Sequence, residues 1–233
     1  MIAFLGCRGW AQCDKDLWPP LRLESSQPKF DPMRLGLLAD IHEAVEPLRA
    51  AVDELNARKV DSFVMLGDVL DHGERVDETV ALLRKLHGAG VWGNHDFGLC
   101  GQVDESARSR FSTAVLEYFA TLRPRLIIEG IRFQHIDPHL DPEQFVDLWQ
   151  FPTAAERLAG LARCPERRAF AGHLHRWEVY TPKSQISWDG DGAFQYQPDD
   201  RYLTIIGAVA DGWCAVFDSE KDVLEPISLR GQM

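Results

Sequence analysis

From Met33 onward, short apolar runs alternate with segments whose apolar residues recur at helical spacing. Arg34 to Ala39 reads as a buried strand. Pro47 then stands where a first helical turn accepts proline, and Leu48, Ala51, Val52 and Leu55 share one helical face. Ser62 to Leu66 predicts a second strand. Val76 to His87 predicts a second helix, with Val80, Leu83 and Leu86 inward and Gly88 as its C-terminal cap. Gly90 to Trp92 predicts a third strand. Strands separated by helices of this length indicate βαβ units and a parallel sheet.

The second half has a different rhythm. A helix is expected over residues 104–122, and "RLIIEGIRFQHI" reads as two strands about a Glu129-Gly130 turn. Thr153 and Glu156 form a capping-box pair that opens a helix to about Arg163. Strands follow at Arg168 to Ala171, Trp177 to Thr181, Tyr202 to Ile206, Trp213 to Asp218 and Val223 to Leu229. A parallel first half and an antiparallel second half imply two sheets face to face with helices outside. Residues 1–32 carry no such period and contain Pro19, Pro20 and Pro28. They are expected to be an N-terminal extension, with one domain over 33–233.

The strand ends share a chemistry. After the first strand stands "ADIH", with Asp40 and His42; after the second "GDVLDHG", with Asp68, Asp71 and His72. After the third comes "GNHD", with Asn94, His95 and Asp96. Later strands deliver "FQHID" (His135) and "FAGHLH" (His173, His175). In α/β sheets ligands bind beyond the carboxyl ends of strands. Residues two apart on extended backbone share a face, so Asp40 with His42, and His173 with His175, can each converge on one point. Six of the eight histidines lie in these blocks; His87 and His139 fall outside. Each block alone is an ordinary acidic turn. Burying all five without partners would cost on the order of several kcal/mol, which favours one joint metal site. "DGDG" at Asp189 to Gly192 lacks the ligands of a calcium loop and reads as a turn. His87, on the last turn of its helix, suits the helix dipole.

In order and spacing the blocks "DIH", "GDVLD", "GNHD", "QHI" and "GHLH" resemble the calcineurin-like metallophosphoesterases, and in particular their small prokaryotic phosphodiesterase-like branch. "YLTIIGAVADGWCAVFD" looks like that family's closing strands. The resemblance implies an αββα sandwich of two mixed β-sheets and a binuclear centre of divalent ions. Asp40, His42 and His175 would hold one ion, Asn94, His135 and His173 the other, and Asp68 would bridge them. His95, oriented by Asp71, would be the general acid for hydrolysis by a hydroxide shared between the ions. Asp96 would cap the following turn.

Some features depart from the family pattern. Ile136 follows His135 where glycine is usual, so His139 competes as the ligand. His72 replaces the arginine of the protein-phosphatase "DRG" block and lacks its fork of donors, which favours phosphodiesters or nucleotides over phosphoproteins. His72 and Arg176 are the candidate substrate contacts. The ligand set accommodates Mn, Fe, Zn, Co or Ni, with Mn preferred here. A phosphomonoesterase and a non-catalytic scaffold on the same fold are the rival readings.

The totals narrow the partners. With Lys+Arg 25 against Asp+Glu 36, the net charge of −11 disfavours long nucleic acids but not a small phosphate ester. No apolar run suffices to span a bilayer. Five cysteines without a framework suggest a reducing compartment, and "MIAFLGC" is too short and uncharged for a signal peptide. A cytoplasmic protein is expected.

Overall fold

The computed structural model describes residues 32–100 and 105–231. The expected extension over 1–32 lies, apart from Pro32, outside the described residues. The elements are β1 (Arg34–Leu38), α1 (Val45–Ala57), β2 (Ser62–Leu66), α2 (Val76–Leu83), β3 (Gly88–Val91), α3 (Phe97–Cys100), α4 (Glu105–Arg110) and α5 (Thr113–Phe119). These are followed by β4 (Arg125–Ile128), β5 (Ile131–Gln134), α6 (Ala154–Arg163), β6 (Arg168–Ala171), β7 (Glu178–Tyr180), β8 (Gln185–Ile186), β9 (Phe194–Gln195), β10 (Tyr202–Ile205), β11 (Trp213–Asp218) and β12 (Val223–Ser228).

Two six-stranded sheets form, in the orders β3-β2-β1-β11-β12-β9 and β4-β5-β6-β10-β7-β8. Both are mixed. In the first, β1, β2 and β3 are parallel, and β11 joins β1 antiparallel. The second is not the antiparallel sheet expected, because β5, β6 and β10 run parallel at its centre. The α6 crossover connects β5 to β6, and this parallel pairing brings both strand ends to the same edge as those of β1 to β3.

Alternation along the strands sorts the layers. Leu35 and Leu37 of β1 and Val64 and Leu66 of β2 pack with Phe133, Phe170 and Ile206 between the sheets. Phe63 and Met65 point the other way, against Leu48, Ala51 and Leu55 of α1 and Val80 of α2. Leu161 of α6 covers the far side of the second sheet with Ala169, Ala171 and Leu203. Helices, sheet, sheet and helix make the αββα sandwich.

The structure differs from the expected pattern at several boundaries. The second helix stops at Leu83, and Gly88 is no cap: it begins β3, so close to Phe63 that an added Cβ would strike the Phe63 carbonyl. His87 is therefore not on a helix; its carbonyl accepts from Phe63 N at 2.9 Å in the turn entering β3. The helix expected over 104–122 is two helices, because Ser112 turns its side chain back to cap Val115 N at 3.3 Å. The short strands β8 and β9 carry too few residues to show alternation. Other local signals hold. Thr153 and Glu156 form the capping box, Glu129 and Gly130 take the positive φ of a tight hairpin turn, and the chain bends at Asp189 to Gly192, where both glycines have positive φ.

Candidate metal centre

The loops after β1, β2, β3, β5 and β6 meet at one edge of the sandwich and carry the polar blocks there. Asp40 and His135 are fully buried, while Asp68 and Asn94 are nearly so. His42 Nε2 and His175 Nε2 lie 3.0 Å apart, and His175 Nε2 is 3.8 Å from Asp40 Oδ1. A second group lies deeper. Asn94 Oδ1 is 3.0 Å from His135 Nε2 and 2.9 Å from His173 Nδ1. Asp68 connects the groups: its Oδ2 stands 3.6 Å from His42 Nε2 and 3.3 Å from His135 Nε2.

The backbone is bent to make this convergence. Asp40, His42, Glu43, Asp68, His173 and His175 all have positive φ, between 45° and 74°. Outside glycine such conformations cost about 1–3 kcal/mol each and persist where the surroundings over-determine them. Gly93 is required by proximity, since a Cβ there would collide with the Asp68 carboxylate.

The atoms that meet are acceptors. His135 Nδ1 donates to the Leu66 carbonyl, 2.7 Å away, so in the neutral imidazole Nε2 presents a lone pair to Asn94 Oδ1 and Asp68 Oδ2, and without a metal ion it takes up a proton there. Three lone-pair donors facing inward repel one another unless a cation or a proton sits among them. The triads Asp40–His42–His175 and Asp68–His135–His173 therefore suit metal ions, and His95 joins His42 and Asp68 in a third such cluster.

Titration in the metal-free chain reflects the same crowding. Burial opposes a charge on His135, yet Asp68, Asp40 and the Leu66 carbonyl outweigh it and push its pKa up to about 9. Burial raises Asp40 to about 7, although His135 pulls it back. At Asp68 burial is outweighed by His135 and the His95 amide, which hold it below the ordinary carboxylate range. Burial and the neighbouring His135 lower His173 to about 4.

A stability prediction follows. His135 binds its proton more tightly in the fold than in the unfolded chain. Its contribution is complete below about pH 6.5 and is lost as pH rises through about 9. Asp40, also raised, acts in the same direction between 3.8 and about 7. In chelator, the melting temperature should therefore fall from pH 6.5 to 9, and saturating Mn²⁺ should flatten that slope. A metal-free melting temperature that rises over this interval would show that His135 takes up no second proton in the fold.

The remaining expected residues are placed as follows. His95 donates its backbone N–H to Asp68 Oδ1 at 3.0 Å, and its ring meets His42 edge-on with centroids 4.8 Å apart. Asp71 forms no hydrogen bond to His95 among the described residues; its Oδ2 is 3.7 Å from His72 Nε2. The His72 side chain is 80% exposed. Arg176 is exposed and pairs with Glu178 at 2.9 Å. His139 packs its imidazole against Gly160 of α6, away from the cluster in which His135 stands.

Among the described residues the Asp96 carboxylate accepts nothing from the turn that follows it, so the expected cap is not formed. Fully buried, Asp96 accepts from Gly93 N, Val69 N and Leu70 N at 2.9–3.0 Å and so clips the loop after β3 to the loop after β2. Three further features carry no signal in the sequence patterns. Glu43, buried, accepts from Asp71 N, Gly73 N and Arg75 N and fixes the loop bearing Asp71 and His72. Asp211 lies 3.3 Å from His175 Nδ1, on the side opposite Nε2. Phe151 stacks on His173, with centroids 4.7 Å apart.

Known proteins share this fold. A metallophosphoesterase from Sphaerobacter thermophilus superposes with a TM-score of 0.70 at 21% identity, covering 86% of this chain and 90% of that one. A putative diadenosine tetraphosphatase has a TM-score of 0.55 at 19% identity, covering 84% and 93%. An archaeal phosphodiesterase has 0.52 at 15%, covering 84% and 100%. An uncharacterized protein of Methanocaldococcus jannaschii is 24% identical over 189 residues, 75% of each chain. The calcineurin-like phosphoesterase pattern matches residues 33–160, which contain the loops after β1, β2, β3 and β5. The chain belongs to the calcineurin-like phosphoesterase family.

Proposed function

We propose that the chain is a metal-dependent phosphoric ester hydrolase acting on phosphodiesters or nucleotide-type esters. The observation that carries this reading is Asp68: one buried carboxylate oxygen faces His42 from one ligand group and His135 from the other. Asp40, His42 and His175 would hold one divalent ion, Asn94, His135 and His173 a second, with Asp68 common to both. Bound ions of this kind neutralise phosphoryl charge and lower the pKa of a coordinated water.

The chain's own groups do the rest. His95 holds a proton at the edge of the site and gives it to the oxygen of the departing alcohol. Its position is set through the backbone, by the bond from its N–H to Asp68, more than by Asp71. His72, exposed and without a fork of donors, gives little grip on a dianionic monoester, so diesters should have the higher specificity constants. The thiols of Cys100, Cys164 and Cys214 are unpaired, which supports a reducing, cytoplasmic setting. Among the described residues no helix is long and apolar enough to cross a membrane.

The test is stoichiometry together with a substrate panel. Elemental analysis of protein saturated with Mn²⁺ should find two ions per chain, and Asn94→Ala or His173→Ala should leave one. Diester substrates should be turned over with higher kcat/KM than phosphoserine peptides. A single ion at saturation, unchanged by either substitution, removes the second site. A strong phosphopeptide preference replaces the diesterase reading with a monoesterase.

A further inference from the structure

Five large apolar side chains are exposed among the described residues, and four of them fall within one short segment: Phe145, Val146, Trp149 and Phe151, with Ile127 elsewhere. The segment lies beside the metal centre. Trp149 is 5.7 Å from the His95 ring and 6.3 Å from Phe145, and Phe151 lies parallel to the His173 ring within 20°. Exposed rings grouped in this way mark a surface that binds something.

The rings stand on an anchored support. Leu148, between them, is fully buried. Trp92 Nε1 donates to the Pro142 carbonyl at 3.0 Å, and Asp147 accepts from Asp141 N and Gln150 Nε2 at 2.9 and 3.0 Å. The rings are thus held in place before any ligand arrives. Whatever covers them also lies over the site, because their neighbours are His95 and His173. A protein partner seated there would shut the centre, whereas one arm of a substrate would not. The net charge of −11 disfavours a polymer of phosphates as that substrate.

Resting on the hydrolase reading above, we propose that Trp149 and Phe151 form a stacking shelf for the planar base of a nucleotide-type ester, making them specificity-determining residues. Trp149, next to the proton donor, takes a base carried on the departing arm. Phe151 lies over the arm that stays near His173.

Calorimetric titration of the Mn²⁺-loaded chain with adenosine 5′-monophosphate and with ribose 5-phosphate tests this, because the second carries a hydroxyl where the first carries its base. The nucleotide should bind about tenfold more tightly, the scale of stacking one base on an aromatic side chain. Trp149→Ala and Phe151→Ala should each reduce the ratio, the double variant should bring it close to unity, and Trp149→Phe should retain most of it. Equal affinities in the wild type, or a ratio that survives in the double variant, would overturn the shelf while leaving the hydrolase reading intact. Binding of neither compound would overturn the shelf and leave the diesterase reading standing, since that reading expects little grip on a dianionic monoester. A wild type that is dimeric, becomes monomeric in the double variant and shows no preference for the base would make a second copy the occupant and overturn the shelf.

Discussion

Asp68→Asn should abolish tight binding of both ions at once. The replacement is nearly isosteric, and Asn tolerates the positive φ of 52° found at this position, so the backbone can stay where it is. What changes is the oxygen that faces His42 at 3.6 Å and His135 at 3.3 Å: it loses its charge for both groups. Substitutions that only touch a metal ligand cost about 10–100-fold in metal affinity, and a ligand common to two ions should cost more than about 100-fold for each. The metal-free fold should be less affected. Removing one partner of a buried ion pair is costly when the other must stay charged, about 3–5 kcal/mol. His135 can instead release its proton, since Asp68 is the strongest attraction holding it there. The variant should therefore fold and lose the fall in melting temperature between pH 6.5 and 9 that the wild type shows in chelator. Asp68→Ala should bind metal equally poorly and melt lower, because alanine adds strain at positive φ. Isothermal titration with Mn²⁺ decides: one ion retained at wild-type affinity would mean that Asp68 serves a single ion.

Much of this centre is legible from residue order, for a physical reason. A ligand at the carboxyl end of a strand interrupts an apolar run, so Asp40, Asp68, Asn94, His135 and His173 each announce themselves against their neighbours. Pairs such as Asp40 with His42 add a two-residue spacing. Glu43 and Asp211 leave no such mark, and Asp96, though it stands in the block after β3, does not reveal its partners. Their work is to accept hydrogen bonds from loops distant in sequence, as Glu43 does from Gly73 N and Asp96 from Val69 N, and any acidic turn residue looks the same. The aromatic segment is invisible for another reason: Phe145, Leu148 and Trp149 have the spacing of one helical face in a stretch bounded by Pro142 and Pro152, and only exposure sets Phe145, Trp149 and Phe151 apart from Leu148. The mixed character of the second sheet is equally non-local. It depends on α6 carrying the chain across so that β6 lies parallel to β5, a pairing that local alternation does not encode. The premature end of α2 is decided by the packing of Gly88 on Phe63, a contact made only after β2 and β3 come together.

His95 separates an acid from a ligand and an enzyme from a scaffold. If it protonates the departing oxygen, its loss should matter most where that oxygen leaves as an alkoxide. A nitrophenolate departs with little help from a proton. General acid catalysis contributes about 10²–10⁴-fold, so His95→Asn should reduce kcat/KM by that factor on an alkyl or nucleoside diester and far less on a nitrophenyl diester. The backbone N–H that holds Asp68 Oδ1 at 3.0 Å is unaffected by the change, so both ions should stay bound. Asp71→Asn should show only a faint version of the same pattern, because its carboxylate lies near His72 and makes no hydrogen bond to His95. His95 also lies within reach of His42 and Asp68 in a cluster able to hold a cation, which gives the experiment its alternative. Loss of an ion on His95→Asn would make this residue a ligand. Equal losses on both esters would mean that its proton takes no part in the departure of the leaving group. A fully metallated wild type inactive on every ester would identify the fold as a scaffold.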